Sequence, residues 1–373
     1  MPASTSARPG AKACAAAAAL LAILGIASPV RAAEHVFLIG DAGDPSPGEP
    51  VLTALRSQIE EDPSRTYVVF LGDNIYPRGL PAEGTPQRPE AERRLRAQID
   101  AVRGTGARAL FIPGNHDWDR HGAGGWYAVR READFVEETG GSFAGFEPRS
   151  GCPGPSVVDP WPTLRLVALD TQWWLHAGPR PEGAESGCAA ASDEEVSAAL
   201  DRVLDAPGRD VIVVAHHPLV SGGGHGGHFS WKDHIFPLRA WKGWMWLPLP
   251  VIGSAYPLGR EAGAFSQDVT ASRYKHMIQV LEPVLKAKRP LVYAAGHDHG
   301  LQVLTADTAR YLVVSGAGIV GHTRTPARLD STVFRSGAAG FVRLDFDEGR
   351  RLLTVVTVDK TGAATEAYHS SLE

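Results

Sequence analysis

The chain is punctuated by apolar runs that each stop at a polar cluster. Thr66-Tyr67-Val68-Val69-Phe70-Leu71 follows Pro63-Ser64-Arg65 and ends at Gly72-Asp73-Asn74-Ile75-Tyr76. Runs rich in β-branched and aromatic residues, entered after a turn, mark buried strands. Loops beyond the carboxyl ends of parallel strands are where α/β proteins carry their chemistry. Alone, Asp73 and Tyr76 admit two readings: a turn residue and a packed phenol, or two groups that one metal uses together.

The same pattern recurs along the chain. Val36-Phe37-Leu38-Ile39 ends in Gly40-Asp41-Ala42-Gly43-Asp44, and Arg108 to Ile112 runs into Pro113-Gly114-Asn115-His116-Asp117. Between them, Val51, Leu52, Leu55 and Ile59 share one helical face, as do Leu95, Ile99 and Val102. This βαβαβ order predicts a parallel sheet. Further on, a helix is predicted over Tyr127 to Glu138 and a strand over Leu164 to Asp170. Ser192 and Glu195 form a capping box for a helix to Leu204. The strand Asp210 to Ala215 ends in His216-His217-Pro218. A helix from Ala271 to Leu285 precedes the strand Leu291 to Ala295, which ends in Gly296-His297-Asp298-His299. Four later segments, starting at Leu301, Tyr311, Phe341 and Leu352, alternate apolar and polar residues. They read as mostly antiparallel strands completing a second sheet.

The 373 residues carry a net charge of -5, without the basic surface of a general nucleic-acid binder, so no nucleic-acid partner is expected. Arg8 and Lys12 precede an apolar run from Ala13 to Ala27, and Val30 and Ala32 are small residues at a cleavage zone. This is the pattern of an export signal over residues 1–32. The run is shorter than the ~20 residues of a spanning helix. The expected product is periplasmic or extracellular, one domain over 33–373. Its two remaining cysteines, Cys152 and Cys188, are then expected to pair. The bond closes a loop of about 35 residues, which stabilises by about 3–4 kcal/mol on the chain-entropy estimate.

Five strand ends thus carry Asp41, then Asp73 with Tyr76, Asn115 with His116, His216 with His217, and His297 with His299. Each residue alone also reads as a turn or packing residue. Together they bring carboxylates, an amide, a phenol and imidazoles to one sheet edge, a donor set suited to iron, zinc or manganese. A cation also relieves the repulsion between close carboxylates.

The five ordered clusters resemble the blocks of the calcineurin-like metallophosphoesterases, and specifically of purple acid phosphatases. The superfamily's usual first block is Asp-x-His; here the histidine position is Gly43. Tyr76, in Gly-Asp-x-x-Tyr, is the residue that supplies the missing ligand in purple acid phosphatases. Gly114-Asn115-His116-Asp117, Val213 to His216 and Gly296 to His299 match the remaining blocks. The resemblance implies a four-layer α/β/β/α sandwich of two mixed sheets with a dinuclear metal centre. Fe(III) would take Asp41, Tyr76, His299 and a shared Asp73. Zn, Fe(II) or Mn would take Asn115, His216, His297 and the same Asp73. The implied reaction is hydrolysis of phosphate monoesters. A phosphodiesterase or nucleotidase on the same site, and a non-catalytic binding protein on this scaffold, are the alternatives. The catalytic candidates are His116, beside Asn115, and His225, nine residues after His216, a spacing found in smaller purple acid phosphatases; His228 is an alternative to His225.

The stretch from Phe229 to Phe265 departs from that family. It interleaves Trp231, Trp241, Trp244, Trp246 and Tyr256 with Lys232, Arg239, Lys242 and Arg260. Three readings stand: a lid or packed subdomain, a peripheral membrane contact, or a partner surface.

Overall fold

The computed structural model describes residues 2–3, 33–240, 245–347 and 349–373. The predicted export signal falls almost wholly outside these residues, as do Trp241 and Trp244. Fourteen strands are described: β1 (Glu34–Ile39), β2 (Thr66–Phe70), β3 (Arg108–Phe111), β4 (Ala144–Phe146), β5 (Ser156–Trp161), β6 (Leu164–Leu169), β7 (Asp210–Ala215), β8 (Val292–Ala295), β9 (Leu301–Thr305), β10 (Tyr311–Ser315), β11 (Thr332–Ser336), β12 (Ala339–Asp347), β13 (Arg350–Val358) and β14 (Ala364–Ser371). They form two seven-stranded sheets, ordered β14-β13-β12-β1-β2-β3-β4 and β11-β9-β10-β8-β7-β6-β5. β1 to β4 run parallel, as do β6, β7, β8 and β10, and the outer strands are antiparallel.

The sheets pack face to face. Val36, Leu38, Val69 and Leu110 of the first meet Leu166, Ile212, Val214 and Val292 of the second in one buried cluster. Helices cover both outer faces. Pro50–Ile59 and Arg88–Val102 bury Leu55, Ile59, Leu95 and Ile99 on the first sheet. Each has proline in its first turn, where the missing N–H costs nothing. Asp193–Leu204 and Ser272–Lys288 bury Val196, Leu200, Met277 and Leu281 on the second. The result is the expected α/β/β/α sandwich of two mixed sheets.

Three expectations change in detail. The strands β12 to β14 do not complete the second sheet. β12 pairs antiparallel with β1, from Glu34 opposite Phe346 to Leu38 opposite Val342, and extends the first sheet. Alternation specifies a strand's two faces, but not which edge it joins. The Ser192 side chain caps its helix by accepting from the Glu195 amide. The reciprocal bond, however, goes from the Ala191 amide to Glu195, one residue early for a capping box. The helix near Tyr127 is longer than predicted, spanning Gly125–Gly140. Cys152 and Cys188 are disulfide-bonded, tying the β5 side of the second sheet to the loop before Asp193–Leu204.

Candidate metal centre

The two sheets converge where their parallel strands end. Gly40, just past β1, donates to Ser315 O of β10, and Ser315 Oγ donates to Leu38 O. Beyond these strands the chain turns sharply, and three predicted ligands take left-handed backbone: Asp41 (φ 59), Asp73 (φ 54) and His297 (φ 69). Non-glycine residues rarely adopt this region, and such strain concentrates at functional sites. Gly72 has φ 88, and a Cβ there would meet Gly114 N at 2.7 Å and His216 Nδ1 at 2.8 Å. Only glycine lets these loops lie so close.

All seven predicted ligands come together. Tyr76 Oη lies 2.9 Å from Asp41 Oδ1, 3.1 Å from Asp73 Oδ2 and 3.2 Å from His299 Nε2. Beside this group, Asn115 Oδ1 sits 3.0 Å from both His216 Nε2 and His297 Nδ1, which are 3.2 Å apart. Asp73 joins the halves: Oδ2 faces Tyr76, while Oδ1 is 3.4 Å from His216 Nε2. Asp41, Asp73 and His216 alone bring ligand atoms within 4.8 Å of one another.

Each histidine's far nitrogen is held by a carbonyl. His216 Nδ1 donates to Leu71 O (2.8 Å), His297 Nε2 to Gln267 O (2.8 Å), and His299 Nδ1 to His322 O (3.1 Å). A carbonyl only accepts, so the lone pairs of the neutral rings point inward, the usual support for a metal-bound imidazole. Asn115 Oδ1 and two imidazole lone pairs then face one another in a buried space, next to two carboxylates. A cation stabilises that arrangement, so the donor set fits a metal pair. Without one, protons must fill the role. His216 is raised to about 9: burial opposes its charge, and Asp73 beside it overrides burial. Asp41 is held below the usual carboxylate range because the His299 hydrogen bond and charge outweigh burial. Tyr76 is pushed well above the usual phenol range, first by burial and then by both carboxylates. A bound cation reverses that logic for the phenol.

The other sequence candidates fall at the rim or behind. His116 donates Nδ1–H to Pro77 O (2.7 Å), and its Nε2 lies 3.9 Å from Asp73 Oδ2. His225 packs on His297 with ring centroids 4.0 Å apart, whereas His228 is exposed. His217 is buried with both nitrogens engaged, by Thr171 Oγ1 and Gln267 Oε1 at 2.8 Å each. That is a packing role. Asp117 does not orient His116; it accepts from the amides of Asn74, Ile75 and Gly114, pinning the Asp73 loop to the Asn115 loop. The next turn, Asp119 to His121, holds three consecutive left-handed residues. His121 reaches Gln267 Nε2 at 2.7 Å, so this strained turn braces the wall behind His297. Neither His121 nor Gln267 belongs to a motif, and only their spatial meeting reveals them. His322, whose ring centroid is 4.2 Å from that of His299, was missed for the same reason.

In the insertion, Phe229, Tyr256 and Phe265 pack around Arg260, which reaches Asp268. Its outer part points away: Trp231, Trp246, Leu247, Ile252 and Val251 are exposed, Val251 to 88%.

A two-sheet sandwich with carboxylate, amide and imidazole donors at its strand ends defines a metal-dependent phosphoesterase fold. The calcineurin-like phosphoesterase family model matches residues 35–301, and the chain belongs to that family. No curated protein is recognisably similar to it. Among solved structures, it resembles GAP50, the anchor in the inner membrane complex of Plasmodium, with TM-score 0.56 and 15% identity. That likeness covers 92% of this chain and 89% of the other. It also resembles PhoD, with TM-score 0.55 and 12% identity, over 92% of this chain and 70% of the other. At these identities the likeness is one of fold.

Proposed function

We propose that the protein is an exported phosphomonoesterase of purple acid phosphatase type. One observation carries this: Tyr76 Oη stands within 3.2 Å of Asp41, Asp73 and His299, beside the Asn115–His216–His297 group. In this reading Asp41, Tyr76, His299 and Asp73 hold Fe(III), and Asn115, His216, His297 and Asp73 hold Zn, Fe(II) or Mn. When bound, the two cations supply a nucleophile at working pH and neutralise charge on the phosphoryl oxygens. The protein's part is to fix the donors. Carbonyls lock the three imidazoles, and Asp117 locks the two loops that bring Asp73 and Asn115 together. His116, held through Nδ1, directs Nε2 toward the site and hands a proton to the leaving alcohol oxygen. His225 contributes a second contact on the His297 side.

The test is hydrolysis of p-nitrophenyl phosphate against the bis ester, with metal analysis and a visible spectrum. Monoester turnover by a coloured iron protein is the expected result. Preference for the diester would favour a phosphodiesterase or nucleotidase. Metal-loaded protein inert to all phosphoesters would favour a binding protein on this scaffold.

A second reading concerns location. The exposed Trp231, Trp246, Leu247, Val251 and Ile252 favour peripheral membrane contact by the insertion. No helix among the described residues is long and apolar enough to cross a membrane. Co-sedimentation with liposomes, lost on alanine substitution of Trp246, Val251 and Ile252, is expected; failure of the unaltered protein to bind would remove this reading.

A further inference from the structure

Arg260 lies in the insertion, far in sequence from every motif, yet its guanidinium is almost fully engaged at the metal centre's edge. Its side chain is 12% exposed and forks onto Asp268, which is fully buried: Nε donates to Oδ2 at 2.8 Å, and Nη2 donates to Oδ1. Nη1 donates to Tyr256 Oη at 3.2 Å. The rings of Phe229, Tyr256 and Phe265 stand 5.4, 5.8 and 5.8 Å from the guanidinium carbon. A cation so neutralised and enclosed is unsuited to binding a substrate phosphate. Its remaining contact is His225: Nη2 lies 2.9 Å from His225 Nδ1.

The same nitrogen is 2.9 Å from Asp268 Oδ1 and 3.1 Å from Gln267 O. His225 Nδ1 therefore finds an acceptor when it carries a proton and a donor when it does not. The backbone is held too: His225 N donates to Asp298 Oδ1 (3.0 Å), and Val269 N donates to His225 O (2.9 Å). With Nδ1 occupied in either form and the ring stacked on His297, Nε2 is the one ring nitrogen without a described partner. We propose that Arg260 and Asp268 are positioning residues for His225, and that through Arg260 the aromatic insertion is a working part of the catalytic site. The pair fixes the ring so that Nε2 addresses the substrate beside His297. Asp268 lies just ahead of the helix Ser272–Lys288 in the domain core, and it joins the insertion to that rigid element.

The kinetic arm of the test rests on the phosphoesterase reading; a second arm does not. Arg260→Met keeps the stem and removes the fork, while Asp268→Asn keeps the shape and removes the charge. Each should lower kcat about tenfold with KM changed less than twofold and metal content unchanged. Arg260→Lys, with one donor point instead of a fork, should not restore the rate. In a His225→Ala background, Arg260→Met should cost no further rate, as expected for residues acting as a unit. Independently, ring nitrogen NMR of the full chain loaded with zinc should show one fixed His225 ring state, lost in Arg260→Met and Asp268→Asn. If the protein hydrolyses no phosphoester, the ring signals still decide. Additive rate losses, or unchanged His225 ring signals in both variants, overturn the proposal.

Discussion

The amide of Tyr76 donates to the carbonyl of Gly43 across 3.0 Å, and the intervening chain lies directly on that glycine. A Cβ at Gly43 would meet Asp73 O, Asn74 C and Ile75 N, each at 2.5 Å. The loop that delivers the phenol thus fills the space in which a histidine at 43 would stand. The two sequence changes, glycine for histidine and tyrosine three residues after Asp73, are one structural substitution.

Gly43→Ala should therefore destabilise the protein by about 1–3 kcal/mol, as overpacking against backbone does, and lower metal retention. Gly43→His should do worse despite restoring the superfamily's usual residue. Denaturant unfolding and metal analysis check both. A well-folded Gly43→His protein with full metal content would contradict the displacement argument.

Tyr76→Phe should keep the fold, because the phenyl ring retains its packing on His116 and His322. It should abolish the visible charge-transfer band of the purified protein. Absorption spectroscopy before and after the substitution is sufficient. A band that persists unchanged would remove Tyr76 from the iron and, with it, the purple acid phosphatase assignment.

His116→Ala should lower turnover about 10²-fold, the usual scale for losing a proton-transfer group, while both metals stay. Its ring reaches Asp73 only at 3.9 Å, too far to be a ligand. Steady-state kinetics with metal quantification separate the outcomes. Loss of both metals would make His116 a structural support.

A stability prediction arises away from the centre. His176 is 1% exposed, packs on Trp118, and has no partner for either ring nitrogen among the described residues. Burial, helped by the charges of His121, Arg180 and Arg273, lowers it to about 4. A histidine with a depressed folded pKa takes up its proton more readily when unfolded. Its contribution is intact above about 6.5 and is lost as pH falls toward 4, by about 3 kcal/mol. Denaturant titrations between pH 7 and 4 should show a shallower decline for His176→Phe than for the unaltered protein. Parallel declines would show that His176 does not set the acid limit.

Much of this architecture was legible in the chain. Strands buried on both faces, such as Val211 to Ala215, show as unbroken apolar runs, and the polar residue that follows each run marks the site edge. Asp41, Asp73 and Asn115 were readable for that reason. Short or marginal strands such as β4, β5 and β11 were not, since three to six partly exposed residues carry little periodic signal. The pairing of β12 with β1 joins opposite ends of the domain, and no local pattern encodes it. The same holds for Arg260, Asp268 and Gln267. Their roles depend on where a loop returns, and nothing in their spacing from His225 announces a contact.

The convergence of both sheets on one centre also has a temporal meaning. On the proposed ligand set, the first donor is Asp41 and the last is His299, and each half of the site borrows from both sheets. A nascent chain shorter than that span has no complete coordination shell, however well its first sheet has formed. Ion capture is thus a late step in maturation, available only to molecules whose two halves have closed. The metal occupancy of a preparation would then measure how many of its molecules have finished folding.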